Sequence, residues 1–133
     1  MTPTARARTI ALKRKQSKAD KNASDRIYSQ IIRHIGHCER CGEPRKEQLQ
    51  TSHIHSRRFI NLRVDLDNAT CLCAACHGWW SDHPILTMAW LETVRTPEQI
   101  ARLLAKPETG VKVDWAVERA RLTQIATELG IVL

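Results

Sequence analysis

Four cysteines in two Cys-x-x-Cys pairs constrain this chain more than any other feature. The first pair is Cys38 and Cys41, the second is Cys73 and Cys76, and 31 residues lie between the pairs. Thiolates at this spacing can close a tetrahedron of sulfur around zinc, with two ligands from each pair. The segment between the pairs has few large apolar residues, and so small a core usually needs a metal or a disulfide as a staple. The sequence therefore predicts a structural Zn²⁺.

The fifth cysteine, Cys71, makes the total odd, which is unusual for a disulfide framework. We interpret it as a buried free thiol, although an exchange of Cys71 for Cys73 at the zinc stays open. No apolar signal-peptide region follows the first Met, and no apolar run is long enough to span a membrane. Reduced thiols account best for this composition, so we expect a cytoplasmic protein without a membrane partner.

The formal net charge of +7 lies in the N-terminal part of the chain. Residues 1–37 carry nine Lys or Arg against two Asp, whereas acidic and basic residues balance in the remainder. Such a concentration of positive charge favours binding to a polyanion with release of counterions. Lys13, Arg14 and Lys15 are therefore candidate nucleic-acid contacts. A solvated tail that only improves solubility is the alternative.

The chain divides into three parts by its pattern of apolar and charged residues. These are a basic N-terminal arm (1–23), a helix with a zinc-stabilised core (24–84) and a C-terminal helical extension (85–133). Residues 1–18 lack apolar periodicity, which predicts a mobile segment or one that becomes helical on binding. Further on, Ile27, Ile31 and Ile35 recur at intervals of four and predict a helix that ends near Gly36.

Shorter elements are predicted after this helix. The pattern favours a strand over 49–54, a polar loop over 57–61 and a strand or turn over 62–67. A helix through Trp79 and Trp80 should follow the second cysteine pair and stop before Pro84. Further helices are expected over 85–94, over 96–104 with Thr96 as N-cap, and after Asp114.

Histidines cluster around the second half of this core. In a strand, His53 and His55 would point to the same face and could bind a metal or act as a base and its neighbour. His77 follows the second cysteine pair directly, so a bound zinc would fix its position. His83 could reach the same ion if the helix ends near Asp82, which competes for that place. Surface histidines are the alternative in each case.

The order of these residues resembles the HNH nucleases of the His-Me finger (ββα-metal) superfamily. The resemblance rests on the two cysteine pairs, Ser52-His53-Ile54, Asn68 and the closing segment from Leu72 to His77. Segments 53–57 and 62–68 are similar to phage recombination endonucleases of the NinG/Rap type. The resemblance covers about residues 37–84 and implies an α+β fold, with a small treble-clef-like ββα-metal core flanked by helices.

The resemblance also implies roles for individual residues. His53 aligns with the general base, Asn68 with the asparagine that braces the loop between strand and helix, and His77 with a ligand of a catalytic ion, Mg²⁺ or Mn²⁺. Many HNH proteins have Asp or His directly before the base, where this chain has Ser52. The second protein ligand therefore stays open between His83 and His55.

The implied function is a metal-dependent DNA endonuclease that hydrolyses phosphodiester bonds in a bacterial or phage-infected cell. Arg57, Arg58 and Arg63 are candidates for binding its phosphates. A preference for branched or recombination DNA rests on the family analogy alone. Two alternatives stay open, a non-catalytic zinc-stabilised DNA-binding protein and a protein-interaction treble clef. The sequence leaves the oligomeric state open, a homo-oligomer included.

Overall fold

The computed structural model describes residues 4–105 and 107–133, and in these residues five α-helices surround a two-stranded antiparallel sheet. The elements are, in chain order, α1 (Ala5–Arg33), β1 (Leu49–His53), β2 (Ala69–Cys73), α2 (Ala74–Asp82), α3 (Pro84–Val94), α4 (Pro97–Ala105) and α5 (Trp115–Glu128). The expectation of a mixed α and β fold is confirmed. Among these elements there is no helix with the length and apolar character needed to cross a membrane.

The longest element, α1, continues through the boundary that was expected near residue 23. Thr4 caps its start by accepting a hydrogen bond from the Ala7 N–H at 3.1 Å, and Gly36, with φ of 82°, follows its end. The prediction of a mobile segment is wrong for residues 5–18, which are helical. Alanine, lysine and arginine dominate this stretch and favour helix without any apolar stripe. Residues 1–3 lie outside the described part of the chain.

The sheet pairs β1 with β2 so that Leu49 lies opposite Cys73 and His53 lies opposite Ala69. The strand expected over 49–54 is confirmed as β1, and of the residues 62–67, for which a strand or turn was expected, 62–64 form a turn and Leu66 begins a short 3-10 helix, Leu66–Asn68. At the end of β2, Cys73 also caps α2, because its Sγ accepts a hydrogen bond from the Cys76 N–H at 3.5 Å. The second cysteine pair is therefore the joint between strand and helix.

The helices of the C-terminal part begin at the predicted caps. Thr96 and Gln99 bond each other reciprocally at 2.9 and 3.1 Å, which is the capping box at the start of α4. Asp114 accepts hydrogen bonds from the N–H groups of Ala116 and Val117 and so begins α5. These local signals place the helices because each cap satisfies backbone donors that have no partner inside the helix.

Two buried apolar clusters hold the elements together. The first lies where α1 and α5 pack on the loop before β2: Ile27, Tyr28, Val64, Ala69, Trp115, Leu122 and Ala126. The second surrounds the cysteines: Cys38, Leu49, Cys71, Leu72, Cys73 and Cys76. On α5, Ala126 is buried, whereas Leu129, which follows the end of the helix, is exposed. The contact of α1 with α5 holds one side of α1 against the sheet and its loop.

Candidate zinc centre and histidine site

The sulfur atoms of the two cysteine pairs converge on one point. The four Sγ atoms of Cys38, Cys41, Cys73 and Cys76 lie within 4.8 Å of one another, and those of Cys41 and Cys73 are 3.6 Å apart. Tetrahedral zinc with Zn–S bonds of about 2.3 Å requires sulfur separations of about 3.8 Å. The four cysteines are therefore positioned to bind a metal ion, and a set made only of thiolates indicates zinc.

The pKa values of these thiols indicate that a bound dication would stabilise the four-sulfur group. Burial raises the pKa of Cys38, but hydrogen bonds from backbone N–H groups, with that of Cys41 foremost, outweigh burial and bring it to about 6. Burial raises the pKa of Cys76 to about 12, and hydrogen bonds with the neighbouring thiols act in the same direction. Once the first thiolate has formed, ionising a further thiol therefore costs free energy. A dication removes this cost by neutralising the accumulated negative charge.

Cys71 lies outside the metal group. Burial raises its pKa to about 11, and the charge of Glu39 adds to the increase, so the residue remains a thiol at neutral pH. The Cys71 N–H donates to the Glu39 carboxylate at 2.7 Å, and Arg95 binds the same carboxylate at 2.9 Å and the Ala69 carbonyl at 3.0 Å. The alternative that the sequence left open is decided in favour of Cys73.

The ring of His53, at the end of β1, is held on two sides. It stacks on Tyr28 with 5.4 Å between ring centroids, and its Nε2 lies 3.1 Å from the carbonyl oxygen of Arg63. A carbonyl can only accept, so Nε2 carries the proton and Nδ1 is the unprotonated, basic nitrogen. Burial lowers the pKa of His53, and the charges of Arg57 and Arg63 lower it further. At neutral pH the ring is therefore a neutral base of fixed orientation.

Asn68 is fully buried beside the segment that follows β1. Its Oδ1 accepts a hydrogen bond from the His55 N–H at 2.8 Å, and its Nδ2 donates to the carbonyls of His55 at 3.2 Å and Leu62 at 2.9 Å. Its own carbonyl accepts from the Ile54 N–H at 2.8 Å. These bonds close the loop between the strands at both ends. The loop includes Arg63, whose carbonyl orients the His53 ring.

His77, in the first turns of α2, contacts the other face of β1. Its Nδ1 donates to Gln50 Oε1 at 2.7 Å, which leaves Nε2 as the unprotonated nitrogen. Side chains alternate along a strand, and Thr51 bonds Ser29 of α1 at 2.7 Å, so Thr51 and His53 face α1 while Gln50 faces α2. The imidazoles of His53 and His77 therefore contact different partners on opposite faces of β1.

The two histidines that were candidates for a second ligand beside His77 are engaged elsewhere. Ser52, at the position of the usual second ligand, is 1% exposed, and its Oγ has no hydrogen-bond partner in the described residues. The His55 ring donates from Nε2 to the Leu103 carbonyl at 2.8 Å. The His83 ring stacks on Trp79 at 5.8 Å, with its Nδ1 3.0 Å from the Trp79 carbonyl. In the described ranges, no second group of three or more His, Cys, Asp or Glu side chains converges on a metal position.

The candidate phosphate-binding arginines have different surroundings. Arg63 forms a bidentate pair with Asp25 at 2.9 and 2.7 Å, and its side chain is 15% exposed. Arg57 makes one bond to Asp25 at 3.0 Å and remains 54% exposed. Arg58 is exposed, with its guanidinium 4.8 Å from the centroid of the Phe59 ring. Arg57 and Arg58 thus have donors directed to solvent, whereas Arg63 is committed to Asp25.

Three residues that hold the site were absent from the sequence predictions. Tyr28 stacks on His53, Asp25 binds the two arginines, and Gln50 contacts His77. A spacing of three places Asp25 and Tyr28 on one side of the predicted helix, which was the available signal. It could not indicate what that side would face, because the contacts are with residues at least 25 positions further along the chain.

The metal assignment predicts opposite results for two neighbouring serine substitutions. The wild-type protein should contain one zinc per chain, Cys73→Ser should lose it and unfold at lower temperature, and Cys71→Ser should retain it. The reason is that only Cys73 places its sulfur in the four-membered group. Elemental analysis and thermal unfolding measure both effects. Zinc retained by Cys73→Ser and lost from Cys71→Ser would reverse the assignment.

Removing the Asn68 side chain should destabilise the fold. Asn68→Ala leaves one N–H and two carbonyl groups without partners in a buried place. At about 1–3 kcal/mol for each unsatisfied group that water cannot reach, we expect a loss of about 3 kcal/mol in the free energy of unfolding. Urea denaturation with zinc present measures it, and Asn22→Ala on the exposed side of α1 is the control. Equal stability of the two variants would contradict the bracing role.

The burial of His53 and the charges beside it predict the direction in which its pKa is shifted. Its pKa should lie below 6.5, and Asp25→Asn should lower it further by leaving the two arginines uncompensated. With this lowered pKa, the unfolded state binds a proton at His53 more readily than the folded state does. The contribution of His53 to the free energy of unfolding is therefore complete above about pH 6.5 and is lost as the pH falls. NMR titration of the imidazole signals measures the pKa, with Asp82→Asn as an exposed control. An unchanged pKa in Asp25→Asn would contradict this electrostatic environment.

Comparisons with known proteins bear on the same region. The HNH endonuclease family model matches residues 38–79, a segment that begins at the first cysteine of the zinc group and ends in α2. The comparisons with curated proteins and with solved structures found no match. The similarity to NinG/Rap-type enzymes stays a prediction. The family match, the mixed fold and the four-cysteine group together support an HNH domain at residues 38–79.

Proposed function

We propose that this protein is a metal-dependent DNA endonuclease in which His53 activates the water that attacks a phosphodiester bond. The observation that carries the proposal is the fixed ring of His53, stacked on Tyr28 and bonded through Nε2 to the Arg63 carbonyl. This arrangement selects the tautomer in which Nδ1 can accept a proton. A general base needs a fixed orientation and an available basic nitrogen, and the contacts of His53 are consistent with both requirements.

Hydrolysis of a phosphodiester requires an activated water, stabilisation of charge at phosphorus and assistance to the leaving oxygen. His53 supports the first requirement, since the lowered pKa keeps the ring unprotonated near neutral pH. Arg57 supports the second, because it lies close enough to influence the pKa of His53 and is more than half exposed. The proton taken from water would reside on Nδ1.

A divalent ion, Mg²⁺ or Mn²⁺, would supply Lewis-acid stabilisation of the phosphate and the leaving oxygen. His77 is the residue that the family resemblance assigns to this ion, and its Nε2 is left for a metal because Gln50 occupies Nδ1. Because the rings of His77 and His53 contact opposite faces of β1, the proposal requires the scissile phosphate to lie across the end of that strand, within reach of both. Ser52 fits poorly as a second ligand, since it is buried. The remaining coordination positions would therefore be filled by water and phosphate oxygens, which is the usual way in which Mg²⁺ is held.

DNA is the substrate that an HNH nuclease domain implies. The positive charge of residues 1–37 supports a polyanionic partner, and residues 5–19, helical and exposed in the structure, present much of it to solvent. Branched or recombination DNA, and a phage context, are proposed on the NinG/Rap similarity alone.

One observation favours a second function, that of a zinc-stabilised DNA-binding protein without catalysis. In the described residues, His77 belongs to no group of three or more side chains that could hold a metal ion. A chain that had lost its catalytic ion would keep the four cysteines and the basic helix. Such a protein would bind DNA and leave it intact with any divalent ion.

Substitution of His53 tests the proposal directly. With supercoiled plasmid and Mg²⁺ or Mn²⁺, His53→Ala should reduce the rate of nicking by about 10²–10⁴-fold, the range contributed by a general base. His34→Ala removes an exposed histidine at the end of α1 and should cleave at the wild-type rate. Gel electrophoresis follows the rates, and reactions without added divalent ion provide the baseline.

The outcomes separate the two functions. Cleavage by His53→Ala at the wild-type rate would remove His53 from the mechanism. A wild-type protein that binds the plasmid but does not cleave it with either ion would establish the second function instead.

A further inference from the structure

We infer that one side of α1 binds the part of a DNA duplex that extends away from the cleavage site at His53. Arg14, Lys18 and Lys21 would contact the phosphates of this duplex. The inference rests on the proposed function, because it takes His53 as the place of cleavage. It adds a substrate requirement, namely a double-stranded arm on one side of the cleaved bond. Arg14, Lys18 and Lys21 are called the phosphate stripe below.

The contacts of α1 near its inner end determine which side faces the site. Tyr28 stacks on His53, and Asp25 bonds Arg57 and Arg63 in the loop that orients the same ring. These two residues are three positions apart and therefore lie on the same side of the helix. The direction of His53 as seen from α1 is thus fixed by two independent contacts.

The same side continues toward the N-terminus through basic residues. Stepping back from Asp25 by four, three and four residues reaches Lys21, Lys18 and Arg14, which is the spacing of one helix face. The phosphate stripe is therefore an extension of the face that carries Tyr28 and Asp25. Between Arg14 and Lys21, this face of the helix carries no acidic residue.

The outer half of α1 is open to a partner. Residues 5–19 are all exposed, so Arg14 and Lys18 face solvent. Further along, α5 packs against the helix, where Arg119 bonds Asp20 at 3.1 Å and the Lys21 Nζ lies 5.8 Å from the Trp115 ring centroid. The α5 contact holds the helix in place, and the stripe extends from this support into solvent. In the described part of the chain, neither Arg14 nor Lys18 forms an ion pair.

The length of the stripe indicates a duplex. At about 1.5 Å of rise per residue, its members lie about 10, 15 and 21 Å from Tyr28 along the helix axis. A strand of B-DNA advances about 3.4 Å per nucleotide, so the stripe itself spans about three base pairs and its outer end lies about six base pairs from Tyr28. Cations at fixed intervals on a rigid helix suit phosphates at fixed intervals on a rigid duplex better than a flexible single strand.

Other cations of α1 provide a matched control. Arg8, Lys15 and Arg26 are exposed, and their separations of seven and eleven residues place them on one side of the helix, different from that of the phosphate stripe. Lys15 was a candidate contact in the sequence, and the inference assigns the phosphates to the side of the stripe and not to the side of Lys15. Glutamine at these three positions removes the same charge from the same helix as glutamine at the stripe. The two triple variants remove the same charge from different sides of α1, and of the stripe residues Lys21 also lies near the Trp115 ring of α5.

The test compares R14Q/K18Q/K21Q with R8Q/K15Q/R26Q, both in full-length, zinc-loaded protein that also carries His53→Ala. Fluorescence anisotropy with a duplex of about 20 base pairs measures the dissociation constant between 50 and 200 mM salt. The stripe variant should bind more than about tenfold more weakly, and its salt slope should fall by about two to three, at about 0.9 per lost phosphate contact. The control variant should show less than half of each effect, and circular dichroism should find equal helix content in both.

Equal losses in the two variants, or no loss in the stripe variant, would overturn the inference. Equal affinity of the parent for single-stranded and duplex DNA would overturn the duplex requirement. Because this assay measures binding alone, its result is independent of the plasmid assay. A wild-type protein that fails to cleave would refute the proposed function and leave the binding contrast measurable.

Discussion

The four-sulfur group is the constraint on which the core of this protein depends. The hairpin that carries His53 consists of two strands of five residues, and an isolated hairpin of this size is marginal in water. The group joins the segment after α1 to the junction of β2 and α2, because Cys73 ends the strand, caps the helix and offers its sulfur to the metal. A single bound ion can thereby fix a strand, a helix and the preceding turn at once.

His53, the proposed general base, is nevertheless positioned from outside the segment that matches the family. Tyr28 and Asp25 belong to α1, upstream of residues 38–79, and they hold the ring of His53 and the arginines beside it. In turn, α5 packs on α1 and on this loop in an apolar cluster that includes Leu122. The flanking helices are therefore part of the site, and the matched segment is not self-sufficient.

Local signals made much of this fold predictable. The cysteine spacing, the Thr96 capping box, the Asp114 cap and the alternation around β1 each depend on residues close in sequence. By contrast, β2 was missed, because all five of its residues are buried and show no alternation. The outer half of α1 was missed for the opposite reason, since a helix that packs on nothing has no apolar stripe to reveal it.

The contacts that fix the orientation and the tautomer of His53 could not be predicted from the sequence. Its partner is the backbone carbonyl of Arg63, and a carbonyl is present at every position of any chain. The orientation depends on how the loop closes, and the closure depends on three hydrogen bonds of one buried amide, Asn68. The sequence could place Asn68 in order between the histidines. It could not show which backbone groups the amide would join.

The two imidazoles of the proposed site differ in how completely the protein prepares them. His53 is half-buried, stacked and hydrogen-bonded, so its tautomer and orientation are determined before any substrate arrives. The ring of His77 bonds Gln50, and in the described residues it belongs to no group of three or more potential metal ligands. Under the proposed function, the base is built into the fold, whereas the ion is completed by the phosphate it acts on. Such a division suits a nuclease, because the Lewis acid would then be fully assembled only where a phosphodiester is already bound.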